Sequence, residues 1–75
     1  MKLHLGMPPI RGLNGLSYAC FQALDDAGKA YGAVLFGYWA ADDIRILALR
    51  FDEGVSTDEQ SRVIDAARAM LRGAI

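Results

Sequence analysis

The chain has 75 residues, eight Lys plus Arg against nine Asp plus Glu, and a hydrophobic content of 53%. A domain this short buries only about 60% of the surface of its unfolded chain, so one core must suffice and separate substrate and cofactor domains are excluded. A net charge of −1 excludes the polybasic character of nucleic-acid and anionic-membrane binders, and a charged fraction of 23% with this apolar content excludes a disordered chain.

From the start, Leu3, Leu5 and Met7 alternate with Lys2, His4 and Gly6, which suits a short edge strand stopped at Pro8-Pro9. Gly12, Asn14 and Gly15 then make a loop, so residues 1–16 are read as irregular or as a short edge strand. Pro8, Pro9 and Arg11 interrupt the segment before the apolar run of a secretory leader could form.

Residues 17–28 support two readings. Leu16, Ala19, Cys20, Ala23, Leu24 and Ala27 form a helical stripe with Gly28 as its C-cap. Tyr18, Cys20, Gln22 and Leu24 also alternate with Ala19, Phe21 and Ala23, and Asp25-Asp26-Ala27-Gly28-Lys29 is a good turn between strands. Both a strand and a helix stay open.

Two runs of aromatic and aliphatic residues follow, at about 31–39 and 44–52, and read as a β-hairpin with Ala40 to Asp43 as a four-residue loop. Gly32 and Gly37 lie inside the first run, and one of them is expected beneath an aromatic ring. The last element is an amphipathic helix at about Thr57 to Arg72, ended by Gly73, with Val63, Ile64, Ala67, Met70, Leu71 and Ala74 on one side. Ser56 and Glu59 have capping-box spacing, which predicts reciprocal side-chain bonds to backbone donors.

The resulting fold class is α+β, a small antiparallel sheet packed by a C-terminal helix. Simple alternation groups Ile44, Ile46 and Ala48 against Leu47, Leu49 and Phe51, and Tyr31, Leu35 and Trp39 against Val34, Phe36 and Tyr38. Both faces are apolar, yet one helix covers one face. Burying several hundred Å² more at ~25 cal/mol per Å² gives on the order of 10 kcal/mol before entropy, so a homodimer is expected. Tyr31, Leu35, Trp39, Phe36 and Tyr38 are the apolar interface candidates.

Chemical groups are sparse. His4 and Cys20 are the only histidine and cysteine, too few for a zinc site within one chain, and packing for Cys20 and solvent exposure for His4 account for both. The segment Arg11 to Gly15 lacks the spacing and Lys of a phosphate loop, and Asp42-Asp43 and Asp52-Glu53 lack the alternating ligands of a calcium loop. No catalytic residue, metal or cofactor is predicted. A lone cysteine excludes a disulfide-held secreted scaffold and indicates the reducing cytoplasm, while the longest uncharged stretch, Ala30 to Ala41, is too short to span a bilayer.

One constellation rises above this background. Asp25, Asp26, Asp52, Glu53, Asp58 and Glu59 should meet at one end of the domain, offset by Lys29, Arg50 and Arg62, which leaves the rest of the chain at +2. Turn formation and helix capping explain each carboxylate locally. An anionic patch that docks on a basic protein surface explains them together.

In size and style the chain resembles the short inhibitors carried by phages and mobile elements, anti-CRISPR proteins among them. That likeness rests on no diagnostic motif and transfers no residue roles. It implies a noncatalytic inhibitor or adaptor that binds a larger protein. Strands followed by a terminal helix are also similar to the tail of double-stranded RNA-binding domains, whose phosphate-contacting lysines are replaced here by Asp58 and Glu59. A subunit whose catalytic carboxylates assemble only in an oligomer is the third reading.

Overall fold

A computed structural model describes residues 2–12 and 14–75, with residues 7–9 described by their backbone alone. Leu13 of the expected loop and the side chain of Met7 lie outside the described residues. Four strands, β1 (Lys2–Arg11), β2 (Ser17–Leu24), β3 (Ala30–Ala40) and β4 (Asp43–Phe51), form an antiparallel meander in the order β1-β2-β3-β4, and helix α1 (Thr57–Ala74) packs on it. This is the expected α+β class.

Of the two readings of residues 17–28, the strand is the one realised. Asp25 decides it: its carboxylate accepts from the backbone N–H of Ala27 and of Lys29, both at 2.9 Å, and Gly28 turns the chain at φ 82°. Those bonds close the β2–β3 turn, whereas a helix would have placed two carboxylates at the wrong end of its dipole.

The first strand does not stop at the prolines. It runs through Pro8-Pro9 to Arg11, with a register irregularity between Met7↔Cys20 and Ile10↔Tyr18. Proline is tolerated there because β1 is a sheet edge, where an amide without a hydrogen costs no ladder bond if it faces outward. The β3–β4 connection is also tighter than expected, two residues rather than four, because Ala40 pairs directly with Asp43.

Extra residues in the ladder re-aim the side chains. Between Leu35↔Ala48 and Phe36↔Ile46 strand β4 carries one residue more than β3, namely Leu47. The bulge corrects the simple alternation: Ile44, Ile46, Leu49 and Phe51 share the helix-bearing face with their partners Tyr38, Phe36, Val34 and Gly32, while Leu47 and Ala48 lie on the other. Gly32 is the glycine under an aromatic ring, since a Cβ there would clash with the Cδ1 and Cε1 atoms of Phe51. Gly37 is covered instead by Leu47 and Leu16.

The core lies between α1 and the first three strands. Ala67 and Leu71, one turn apart, cluster with Ala19, Phe21, Val34, Phe36 and Tyr38, Leu3 and Ile44 pack at the margin, and Val63 one turn earlier is buried as well. Phe21 meets Phe36 edge-on at 6.1 Å between centroids, and the Arg68 guanidinium lies 5.8 Å from the Phe36 ring centre. The helix begins at Ser56, whose Oγ accepts from the Glu59 N–H at 3.1 Å, and continues through Gly73 to Ala74. Among the described residues no helix is long and apolar enough to cross a membrane.

Gly32→Ala is expected to destabilise the fold by about 1–3 kcal/mol, because the added methyl must displace the Phe51 ring. Urea unfolding monitored by far-UV circular dichroism measures it, and a compensating Phe51→Leu change should recover part of the loss.

Candidate functional site

The face of the sheet opposite the helix is uncovered. Strand register lays two rows across it: His4, Gln22, Ala33 and Arg50 in one, Cys20, Leu35 and Ala48 in the next. Because Ala33 and Ala48 are small while Gln22, Leu35 and Arg50 are long, the surface sinks between them. One depression of about 310 Å³ is lined by Gln22, Ala30, Gly32, Ala33, Arg50 and Asp52. A second, of about 180 Å³, is lined by Cys20, Ala33, Leu35, Ala48, Leu49 and Arg50. They share Ala33 and Arg50 and so form one shallow groove over β2, β3 and β4. At the far end of this face Leu47 and Leu16 cover Gly37, and half-exposed Trp39 lies against Gly15.

The groove opens at Asp52 toward the acidic end of the molecule. The Asp52 N–H donates to the Tyr31 carbonyl at 2.9 Å, which ties the end of β4 to the start of β3. The Tyr31 hydroxyl donates to Glu59 Oε2 at 2.5 Å, which ties β3 to the first turn of the helix. The β2–β3 turn with Asp25 and Asp26, the segment Asp52-Glu53 and the helix start with Asp58 and Glu59 therefore share one pole, as the chain order predicts.

Within that pole the carboxylates differ in use. Asp25 is occupied by the turn it closes. Glu59 does not complete the capping box: its carboxylate takes the Tyr31 hydroxyl and lies 3.6 Å from Arg62. Asp26, Asp52, Glu53 and Asp58 are exposed. Lys2, counted with the rest of the chain in the sequence reading, pairs with Leu24 and so stands at the acidic end as well.

The apolar candidates divide. Leu35 and Trp39 lie on the uncovered side, Leu35 in the groove and Trp39 beside it. Phe36 and Tyr38 are 0% and 8% exposed beneath the helix and are core residues, a correction that follows from their parity on β3. Tyr31 is the extra residue between Leu24↔Ala30 and Ala23↔Gly32, and its hydroxyl reaches the helix rather than the open face. Ala33, Leu47, Ala48 and Arg50 complete the surface. The sequence carries a signal for Ala33 and Ala48 as small residues in apolar strands, but none for the bulge that turns Leu47 and Ala48 to the same side.

His4 is exposed and Cys20 partly buried, and among the described residues no group of three or more His, Cys, Asp or Glu side chains is placed to hold a metal. No known protein family model matches the chain, and no significant match to it was found among curated proteins or solved structures.

The Tyr31 phenol is pushed up to about 12 from an ordinary 10.0, first by its hydrogen bond to Glu59, then by desolvation and by the negative charge of Glu59 and Asp25. The folded state thus holds this proton where the unfolded chain releases it. The stabilisation is complete below pH 10 and is lost as pH rises toward 12. The difference in urea midpoint between the native chain and Tyr31→Phe should therefore shrink from pH 10 upward, and a difference that stays constant would show that the bond to Glu59 is not made.

Proposed function

We propose that this chain is a small noncatalytic protein-binding module that docks a larger partner on the groove across β2, β3 and β4. The uncovered apolar groove that opens onto an acidic pole is the observation that carries the reading. A partner segment that places an apolar side chain over Ala33 and Ala48 and a Lys or Arg beside Asp52 satisfies both ends of this surface. Exposed carboxylates at Asp26, Glu53 and Asp58 add a field that steers a basic surface toward the groove mouth.

The same chemistry suits an inhibitor of the kind that phages and mobile elements carry, acting by occupying a site on a larger machine. A cytoplasmic setting is supported by the single free thiol, Cys20, which lines the groove. Nucleic acid is disfavoured as the partner because Asp52 and the rest of the pole would meet its phosphates at the groove mouth.

A photo-crosslinking residue at Ala48, compared with one at Asp65 on the helix, tests the reading in a lysate of the source organism. Position 48 should capture a small set of proteins that position 65 does not. Capture should be lost with Leu35→Glu in a variant whose circular dichroism is native, and Asp52→Lys with Glu53→Lys should slow association several-fold. Equal capture from both positions, or capture of RNA or DNA at position 48, would overturn it.

A further inference from the structure

Strand β4 is an uncovered edge. All six residues from Arg45 to Arg50 are exposed, and four of them are apolar. Leu47 is 46% exposed on the open side and Leu49 is 47% exposed on the helix side, because α1 lies over β1, β2 and β3. A long edge with apolar groups on both faces is a template for another strand. Its charges tell which one.

We propose that β4 pairs antiparallel with β4 of a second copy of this chain about a two-fold axis between Ile46 and Leu47, making one continuous sheet of eight strands. In that register Asp43 stands opposite Arg50, Ile44 opposite Leu49, and Arg45 opposite Ala48, each repeated by symmetry. The partners in each of these three pairs share a face of the sheet because the extra residue Leu47 shifts the parity of the strand at its middle, and the two Ile46–Leu47 pairs beside the axis, where the bulges of the two copies meet, stand across faces. Two Asp–Arg pairs close the ends of the ladder. Arg45, already bonded to Asp43 at 3.1 Å, holds that carboxylate in place along the edge.

Moving the axis by half a residue in either direction sets Ile44 against Arg50 or Ala48, across faces. Moving it by a full residue toward the C-terminus matches faces again but sets Arg45 against Arg50 and Asp43 against Asp52, like charges in both cases. Charge therefore selects the first register. Both helices then lie on one side of the joined sheet and both grooves on the other, so the pairing leaves the docking surface open and doubles it.

Sedimentation equilibrium tests the proposal. The native chain should dimerise, and Arg50→Glu should weaken the dimer about tenfold, since two attractive cross-strand pairs become repulsive. Adding Asp43→Arg to that variant should restore most of the affinity. A chain that stays monomeric up to its solubility limit overturns the pairing. Arg50→Glu that tightens the dimer also overturns it, because that result belongs to the register with Arg45 opposite position 50. A dimer indifferent to both charges but broken by Leu35→Glu places the contact on the open face and overturns it as well. Groove-specific capture of a partner by a monomer would leave the docking function standing while removing the dimer.

Discussion

The width of one helix governs this molecule. An α-helix with its side chains is about 10 Å across, and four strands about 4.8 Å apart make a sheet nearly twice as wide. Helix α1 therefore shields one face of part of the sheet, and everything beyond its shadow must be compatible with water or with a partner. Among the described residues the fully buried strand positions come from β2 and β3, while no residue of β4 is fully buried. The groove, the exposed edge and the small core are three consequences of the same shortfall.

Local chemistry fixes where that shortfall falls. Asp25 closes the β2–β3 turn, Asp52 bonds back to β3, and the Tyr31 hydroxyl holds the first turn of the helix through Glu59. These contacts fix the start of α1 beside β3, and Arg72 meets the Ala41 carbonyl at 3.2 Å near the other end. Held at its start to β3 and near its end to the β3–β4 turn, the helix lies over β1, β2 and β3 and leaves β4 uncovered. The carboxylates that look like a surface patch include two, Asp25 and Glu59, that set the geometry of the fold. Structural and binding roles are thus divided among the six rather than common to all.

The parts legible in the sequence are those set by local periodicity and capping. The helix stripe of Val63, Ala67 and Leu71, the Ser56 cap and the β3–β4 hairpin follow from spacing that a single segment contains. Residues 17–28 are ambiguous in sequence because Ala, Cys and Leu satisfy both periods, whereas the bonds of Asp25 to the Ala27 and Lys29 amides close a turn there. The continuation of β1 through Pro8-Pro9 depends on its being an edge, which is a property of the whole sheet. Phe36 and Tyr38 read as interface residues from sequence because alternation identifies two faces without saying which of them a distant helix will choose. The Leu47 bulge is illegible for a related reason: an inserted residue has meaning only against the strand beside it.

That bulge bears two opposed readings, and the rest of β4 chooses between them. An edge bulge flanked by arginines is a common device against unwanted strand pairing, because it disrupts a regular ladder and places charge on it. It blocks partners whose ladder is regular or whose charges clash. A second copy, by symmetry, brings the same irregularity to the same place and an Asp43 to each Arg50. The device that excludes other strands therefore admits its own image. Among the described residues three of the nine buried hydrophobics are Ala19, Ala23 and Ala67, which contribute little volume, so the domain gains little from its own core. The apolar residues that would enlarge it, Ile46 and Leu49, lie along the very edge where the second copy would cover them.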